Sequence, residues 1–314
     1  MLRLCRRQFL QHTSTGLAGG LAAQAWPRFA PAAPGDAETK VCAFTKSFQD
    51  LSIAQVCGAF KRIGLDGLDL TVRPGGHIEP TDAVRELPRA AGLAREAGTQ
   101  ILLLTTSITQ ADDEAEQLFS AAAGIGVDRI KLGYFRYEQF GTLARQTADV
   151  RRQLARVAKL AAKYEVLPCV HIHSGEYIPS HGTQLYELLR DFSPDEIGAY
   201  VDPLHMTVEG GADGWRQGLD LLGPWIALVA IKNFVWEPVG RDKHGQRQWR
   251  VKKVPLADGV APLPRFIAAL EQLGYRGTYS LHSEYKGRRS FQDLDTAGCL
   301  KQTEADLKYL RSLL

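Results

Sequence analysis

From Lys40 onward, short apolar runs alternate with longer segments in which apolar residues recur every three or four positions. The first kind reads as buried strand and the second as amphipathic helix. Strands are predicted at 41–45, 67–72, 100–106, 129–133, 166–173, 197–202, 226–233 and 278–284. Helices are predicted at 53–63, 82–97, 111–123, 143–164, 185–191 and 264–273, with a last one at 293–313. Gly64, Gly98, Gly126 and Gly274 follow helical segments, where a left-handed residue closes the last turn. Eight strand–helix units in one run predict an α/β fold, a (β/α)8 TIM barrel forming a single domain over 40–314. An open doubly wound sheet carries a glycine-rich phosphate loop after its first strand. Here that strand runs into Thr45-Lys46-Ser47-Phe48, so no nucleotide cofactor is expected. The one long loop, 236–260, has a charged hairpin turn at its centre, Asp242 to Gln246. It reads equally as a lid over the barrel mouth or as a solvated excursion.

The first residues break this pattern. Arg6-Arg7 precedes Phe9-Leu10, then a Gly/Ala-rich stretch, then Ala23-Gln24-Ala25. This is the layout of a twin-arginine export signal over 1–25, followed by a Pro/Ala-rich linker over 26–39. The expectation is a bacterial protein that is periplasmic or secreted. Composition changes the picture only through this segment. The chain has 38 basic and 35 acidic residues, a formal charge of +3. Loss of 1–25 removes three Arg and no acid, leaving a mature chain of zero net charge. Neither nucleic acid nor an anionic membrane is then an expected partner. No apolar run reaches the ~20 residues of a spanning helix. Cys42, Cys57, Cys169 and Cys299 sit in apolar patterns, so buried free thiols are expected.

In such barrels, ligands meet the C-terminal ends of the strands. Polar residues gather there: Lys46, Asp69, Arg73 and His77, Lys131, His171 and His173, Asp202 and His205, Lys232, and His282 with Glu284. Alternation puts His171 with His173, and His282 with Glu284, on shared faces. Buried strands rarely carry such side chains without a partner or a task. The expected catalytic set is His282, Glu284, Lys232 and His171. The expected substrate-binding set is Lys46, Arg73, His77, Lys131, His205 and Trp236. Tyr134, Tyr137, Tyr177, Trp236 and Trp249 lie in loops after strands, where rings stack on sugars.

These residues carry a resemblance. The stretches 69–77, 173–175, Asp202-x-x-His205, 231–236 and 280–285 resemble the xylose-isomerase-like TIM barrel superfamily of sugar phosphate isomerases and epimerases, within a secreted subgroup. The resemblance implies a small-molecule carbohydrate substrate, proton abstraction next to a carbonyl, and one divalent metal. The family's four ligands are Glu, Asp, His and Glu on strands five to eight. By position they fall on His171, Asp202, Ala230 and His282, with Glu284 one pleat beyond, so three of the four differ. The metal set implied here is His171, His173, Asp202, His282 and Glu284. Its mixed nitrogen and oxygen donors suit Mn, Zn, Fe or Co. The alternative is that Lys232 supplies the positive charge itself. Two other activities stay open: a lyase expelling the aglycone of a keto-glycoside, and a non-catalytic carbohydrate-binding barrel.

Overall fold

The computed structural model describes residues 39–314, so the export signal and nearly all of the linker lie outside the described residues. Eight parallel strands close into a barrel. They are Lys40–Phe44, Gly67–Val72, Ile101–Thr106, Arg129–Lys131, Leu167–His171, Gly198–Val201, Ile226–Ile231 and Thr278–Leu281. Closure comes from the first strand, which pairs with both the second and the eighth. Several strands end earlier than their apolar runs. His173, Asp202, Lys232, His282 and Glu284 therefore stand just past the last barrel residue, at the mouth.

Local chemistry sets the helix ends. Ser52 and Gln55 form a reciprocal cap at the start of Ile53–Ile63, and Gly64 closes that helix with φ 89°. Asp112 and Asp295 cap Asp113–Gly124 and Thr296–Arg311. Two short helices, Pro203–Gly210 and Trp215–Leu222, are additions to the expected set. Asp202 starts the first of them. Its side chain accepts from the Leu204 and His205 amides at 2.9 and 3.3 Å, and Pro203 fills the first helical position. The helix Gly182–Leu189 packs closely on Trp215–Leu222 through a glycine pair. A Cβ on either Gly182 or Gly218 would lie 2.7 Å from the other's Cα.

The main core lies between the strands and the surrounding helices. A smaller cluster fills the barrel: Cys42, Leu103, Cys169, Tyr200, Leu228 and Ala230. All four cysteines of the described residues are buried and free. The long loop is an antiparallel hairpin, Asn233–Arg241 with Arg247–Val254, whose tip is exposed and whose base is fixed. At the base, Lys253 pairs through its backbone with Arg289 and Phe291. No helix of the described residues is long and apolar enough to cross a membrane.

Candidate active site

Above the apolar plug the barrel interior turns polar. Asp69 is fully buried and accepts hydroxyl hydrogen bonds from Thr105 (2.6 Å), Ser280 (2.8 Å) and Tyr200 (3.4 Å). Tyr200 also meets His282 Nε2 at 3.1 Å, with Asp69 Oδ2 3.7 Å from that nitrogen. With the Tyr200 hydroxyl donating to Asp69, its oxygen accepts from His282 Nε2–H. In that arrangement Nδ1 is the lone-pair nitrogen. Nδ1 has no hydrogen-bond partner among the described residues, and the ring borders a cavity of about 290 Å³.

A second network surrounds Asp202, which is also fully buried. Its Oδ2 faces Lys232 Nζ at 3.1 Å, His171 Nε2 at 3.2 Å and His205 Nε2 at 3.7 Å. Burial alone would raise the Asp202 carboxyl. Lys232 and the imidazoles outweigh it and hold the group well below its ordinary range. His171 donates from Nε2 to Asp202, and its Nδ1 meets the Tyr134 hydroxyl at 2.9 Å. Burial keeps the Tyr134 phenol protonated and pushes His171 down, toward the neutral imidazole. With both nitrogens engaged, His171 orients Asp202 and has no lone pair free for a substrate proton.

Lys232 joins this network to Glu284, whose Oε2 lies 3.8 Å from the ammonium. Glu284 is also met by Lys46 at 2.5 Å and Lys253 at 3.4 Å. Burial would raise its carboxyl, but Lys253, Lys232 and Lys46 together pull it well below the ordinary value. Glu284 is therefore a charge partner and a weak base.

The structure brings most of the expected residues to one cavity. Lys46, Arg73, Lys131, His171, His173, Lys232, His282 and Glu284 line it, with Phe44, Tyr134, Tyr177 and Tyr200. Others stand elsewhere. His77 is half-buried in the loop after the second strand, tied to Thr71 Oγ1 at 3.1 Å and the Phe48 carbonyl at 3.2 Å. Both ring nitrogens are spent on loop structure, so it is not a substrate contact. Trp236 points outward from the hairpin, 45% exposed, with its ring edge on Phe234. Tyr137 and Trp249 also lie off the cavity wall. His205 stands behind Asp202, with Nδ1 on Ser174 Oγ at 2.8 Å and a buried Nε2 lacking a hydrogen-bond partner. Lys253 was not among the expected residues; it belongs to the hairpin base and reaches Glu284.

The implied divalent metal does not fit these residues. Among the described residues, no three His, Cys, Asp or Glu side chains converge closely enough to hold an ion. The ammonium of Lys232 lies between the two carboxylates that would be ligands. His173 contributes Nδ1 to the Ser174 carbonyl and its ring packs 4.0 Å from His205, while His282 spends Nε2 on Tyr200. A divalent ion beside Lys232 would face a fixed positive charge about 3–4 Å away, a strong repulsion at low dielectric. The five-residue ligand set is thus replaced by a set of ion pairs centred on lysine.

The xylose isomerase-like TIM barrel family model matches residues 57–313. No curated protein sequence matches the chain. Among solved structures, a D-psicose 3-epimerase from Clostridium cellulolyticum H10, solved with D-tagatose, superposes with a TM-score of 0.66 at 13% identity, covering 88% of this chain and 99% of its own. The 3-keto-D-glucoside 4-epimerase YcjR from E. coli, in its apo form, gives 0.64 at 14% identity, over 88% and 100%. The IOLI protein with a binding zinc atom gives 0.67 at 15% identity, over 88% and 99%. At such identities the likeness is one of fold.

Proposed function

This chain belongs to the xylose isomerase-like TIM barrel family, and we propose that it is a carbohydrate-converting enzyme of isomerase or epimerase type. His282 Nδ1 takes a proton from the carbon next to a carbonyl. The Lys232 ammonium faces the oxygen on which negative charge develops. The observation that carries this reading is the meeting of an imidazole with a free nitrogen and a buried lysine on one small cavity.

The division of labour follows from the network. Asp69 and Tyr200 fix the His282 ring and stabilise the imidazolium formed when it accepts the proton. Asp202 and Glu284 hold the Lys232 head group in position, so it faces the reacting oxygen before the reaction begins. His171 and His205 hold Asp202. Tyr134 and Tyr177 give aromatic walls for a sugar face. The test is incorporation of solvent deuterium next to the carbonyl of keto and aldo sugars.

Because Lys232 supplies the cation, the reaction is proposed to need no divalent metal. Activity is expected to survive exhaustive dialysis against EDTA and to stay unchanged on adding Mn, Zn, Fe or Co. Loss on dialysis with recovery by one of these ions would contradict the role of Lys232.

The proposal also keeps the export reading, which rests on Arg6-Arg7 and Ala23-Gln24-Ala25. In a bacterial host the full chain is expected in the periplasmic fraction, shortened at its N-terminus. An Arg6→Lys/Arg7→Lys variant is expected to remain cytoplasmic and uncleaved. An unshortened wild-type chain in the cytoplasm would overturn the signal assignment.

A further inference from the structure

The cations at the barrel mouth outnumber the acids that meet them. Glu284 is met by Lys46, Lys232 and Lys253, and Asp202 by Lys232. Two cations on the cavity wall are left over. Lys131 is 2% exposed, and its Nζ lies 3.4 Å from the centre of the Tyr134 ring. The Arg73 guanidinium lies 5.4 Å from the centre of the Phe44 ring. Neither forms an ion pair with a carboxylate among the described residues. Asp69, the nearby acid, is saturated by three hydroxyls.

This arrangement is costly in the empty protein. A buried ammonium without an anion loses its hydration, and an aromatic face returns only part of it. Burial, and after it the charge of Arg73, disfavour the Lys131 ammonium, with Asp69 pulling the other way. Arg73 and Lys131 are thus the two basic groups of the cavity wall that no carboxylate meets, and a bound anion would restore the Lys131 ammonium.

Resting on the function proposed above, we infer that Arg73 and Lys131 form a carboxylate subsite, and that the substrate is a monosaccharide-sized sugar acid. Three observations set that class. Arg73 follows the second strand and Lys131 ends the fourth, while Lys232 and His282 follow the seventh and eighth, so Lys131 stands across the closed barrel from His282 and Arg73 two strands away from it. A ligand reaching across the cavity from Lys131 to His282 would thus carry its anion apart from its reacting carbonyl. The cavity, about 290 Å³, holds one sugar ring and little more. Each cation of the subsite is held on a ring of the cavity wall, Arg73 on Phe44 and Lys131 on Tyr134, rather than on an acid. Guanidinium presents a planar fork to a carboxylate, and the ammonium adds a point charge.

The test is calorimetric titration with D-glucuronate and D-gluconate against neutral D-glucose and D-glucose 6-phosphate, on wild type, Arg73→Gln and Lys131→Met. Wild type is expected to bind a sugar acid about 10–100-fold more tightly than the neutral sugar. Each variant is expected to fall to the level of the neutral sugar. Without ligand, Lys131→Met should melt at a higher temperature than wild type, because it replaces a buried amine that no carboxylate meets with an apolar side chain of similar length. That rise also reports that the variant is folded. Equal binding of acid and neutral sugar, tighter binding of the phosphorylated sugar, or no sugar-acid binding at millimolar concentration would each overturn the subsite. Failure here is distinguishable from failure of the function. Sugar-acid binding that depends on Arg73 without any deuterium exchange keeps the subsite and removes the proton transfer. Exchange on neutral sugars with no acid preference does the reverse.

Discussion

Lys232→Met is expected to lower kcat by about 10²–10³-fold, the usual cost of removing one preorganised group that faces developing charge. The same change should destabilise the fold by about 3–5 kcal/mol, because it leaves the fully buried Asp202 carboxylate without its nearest cation. Those two effects have different physical causes and can be separated. In Lys232→Met/Asp202→Asn the orphaned charge is gone, so urea denaturation should recover most of the lost stability. Activity should not return, because the missing ammonium is the group that acts on substrate. If the double variant regains activity along with stability, Lys232 is only a structural partner of Asp202. Lys232→Arg gives a graded check: it keeps the charge but moves it along a longer, planar head. Partial activity is expected there.

His282→Gln is expected to lower kcat by about 10²–10⁴-fold, the range for loss of a positioned general base. The amide can keep a hydrogen bond toward Tyr200 and Asp69 while offering no basic nitrogen. Stability should therefore change little, and substrate binding should persist. His171→Gln makes the contrast. That ring has both nitrogens engaged, with Tyr134 and Asp202, so its loss should act through the placement of Asp202 and Lys232. A smaller fall in kcat than in His282→Gln is the expected order. A larger fall would exchange the roles assigned to the two imidazoles.

The barrel is legible in the sequence because its strands are buried on both faces. They read as continuous apolar runs, and glycine marks the helix ends. The convergence of His171, Asp202, Lys232 and His282 is legible for the same reason: the fold fixes which strand ends face the mouth. What the sequence conceals is direction and distance. His77 and Trp236 each lie five residues past a barrel strand, and the first is turned into its own loop and the second out along a hairpin. The helix after Asp202 is too short for its period to register, although Asp-Pro is a readable start signal. Lys253 is hidden in a charged alternating segment, Arg247–Val254, that looks solvated along its whole length. The metal set fails on a distance. Residue types name plausible ligands, while the folded chain places the Lys232 ammonium 3.1 Å from Asp202.

The small residue at Ala230 and the lysine one pleat above it belong together. Ala230 is buried in the plug that fills the barrel. The positive charge then comes from Lys232, at the level of the two carboxylates. On this account the barrel keeps a cation at the place where charge develops and changes only its chemical form.

The central claim is proton transfer by His282 at a lysine-stabilised centre. It is tested most directly by incubating wild type and His282→Gln with sugar acids and neutral keto sugars in D₂O, after removal of metals, and following the carbon next to the carbonyl by proton NMR. The account predicts loss of that signal with wild type, and none above background with His282→Gln at matched ligand occupancy. Equal exchange by the two proteins, or exchange only after a divalent metal is restored, would contradict it.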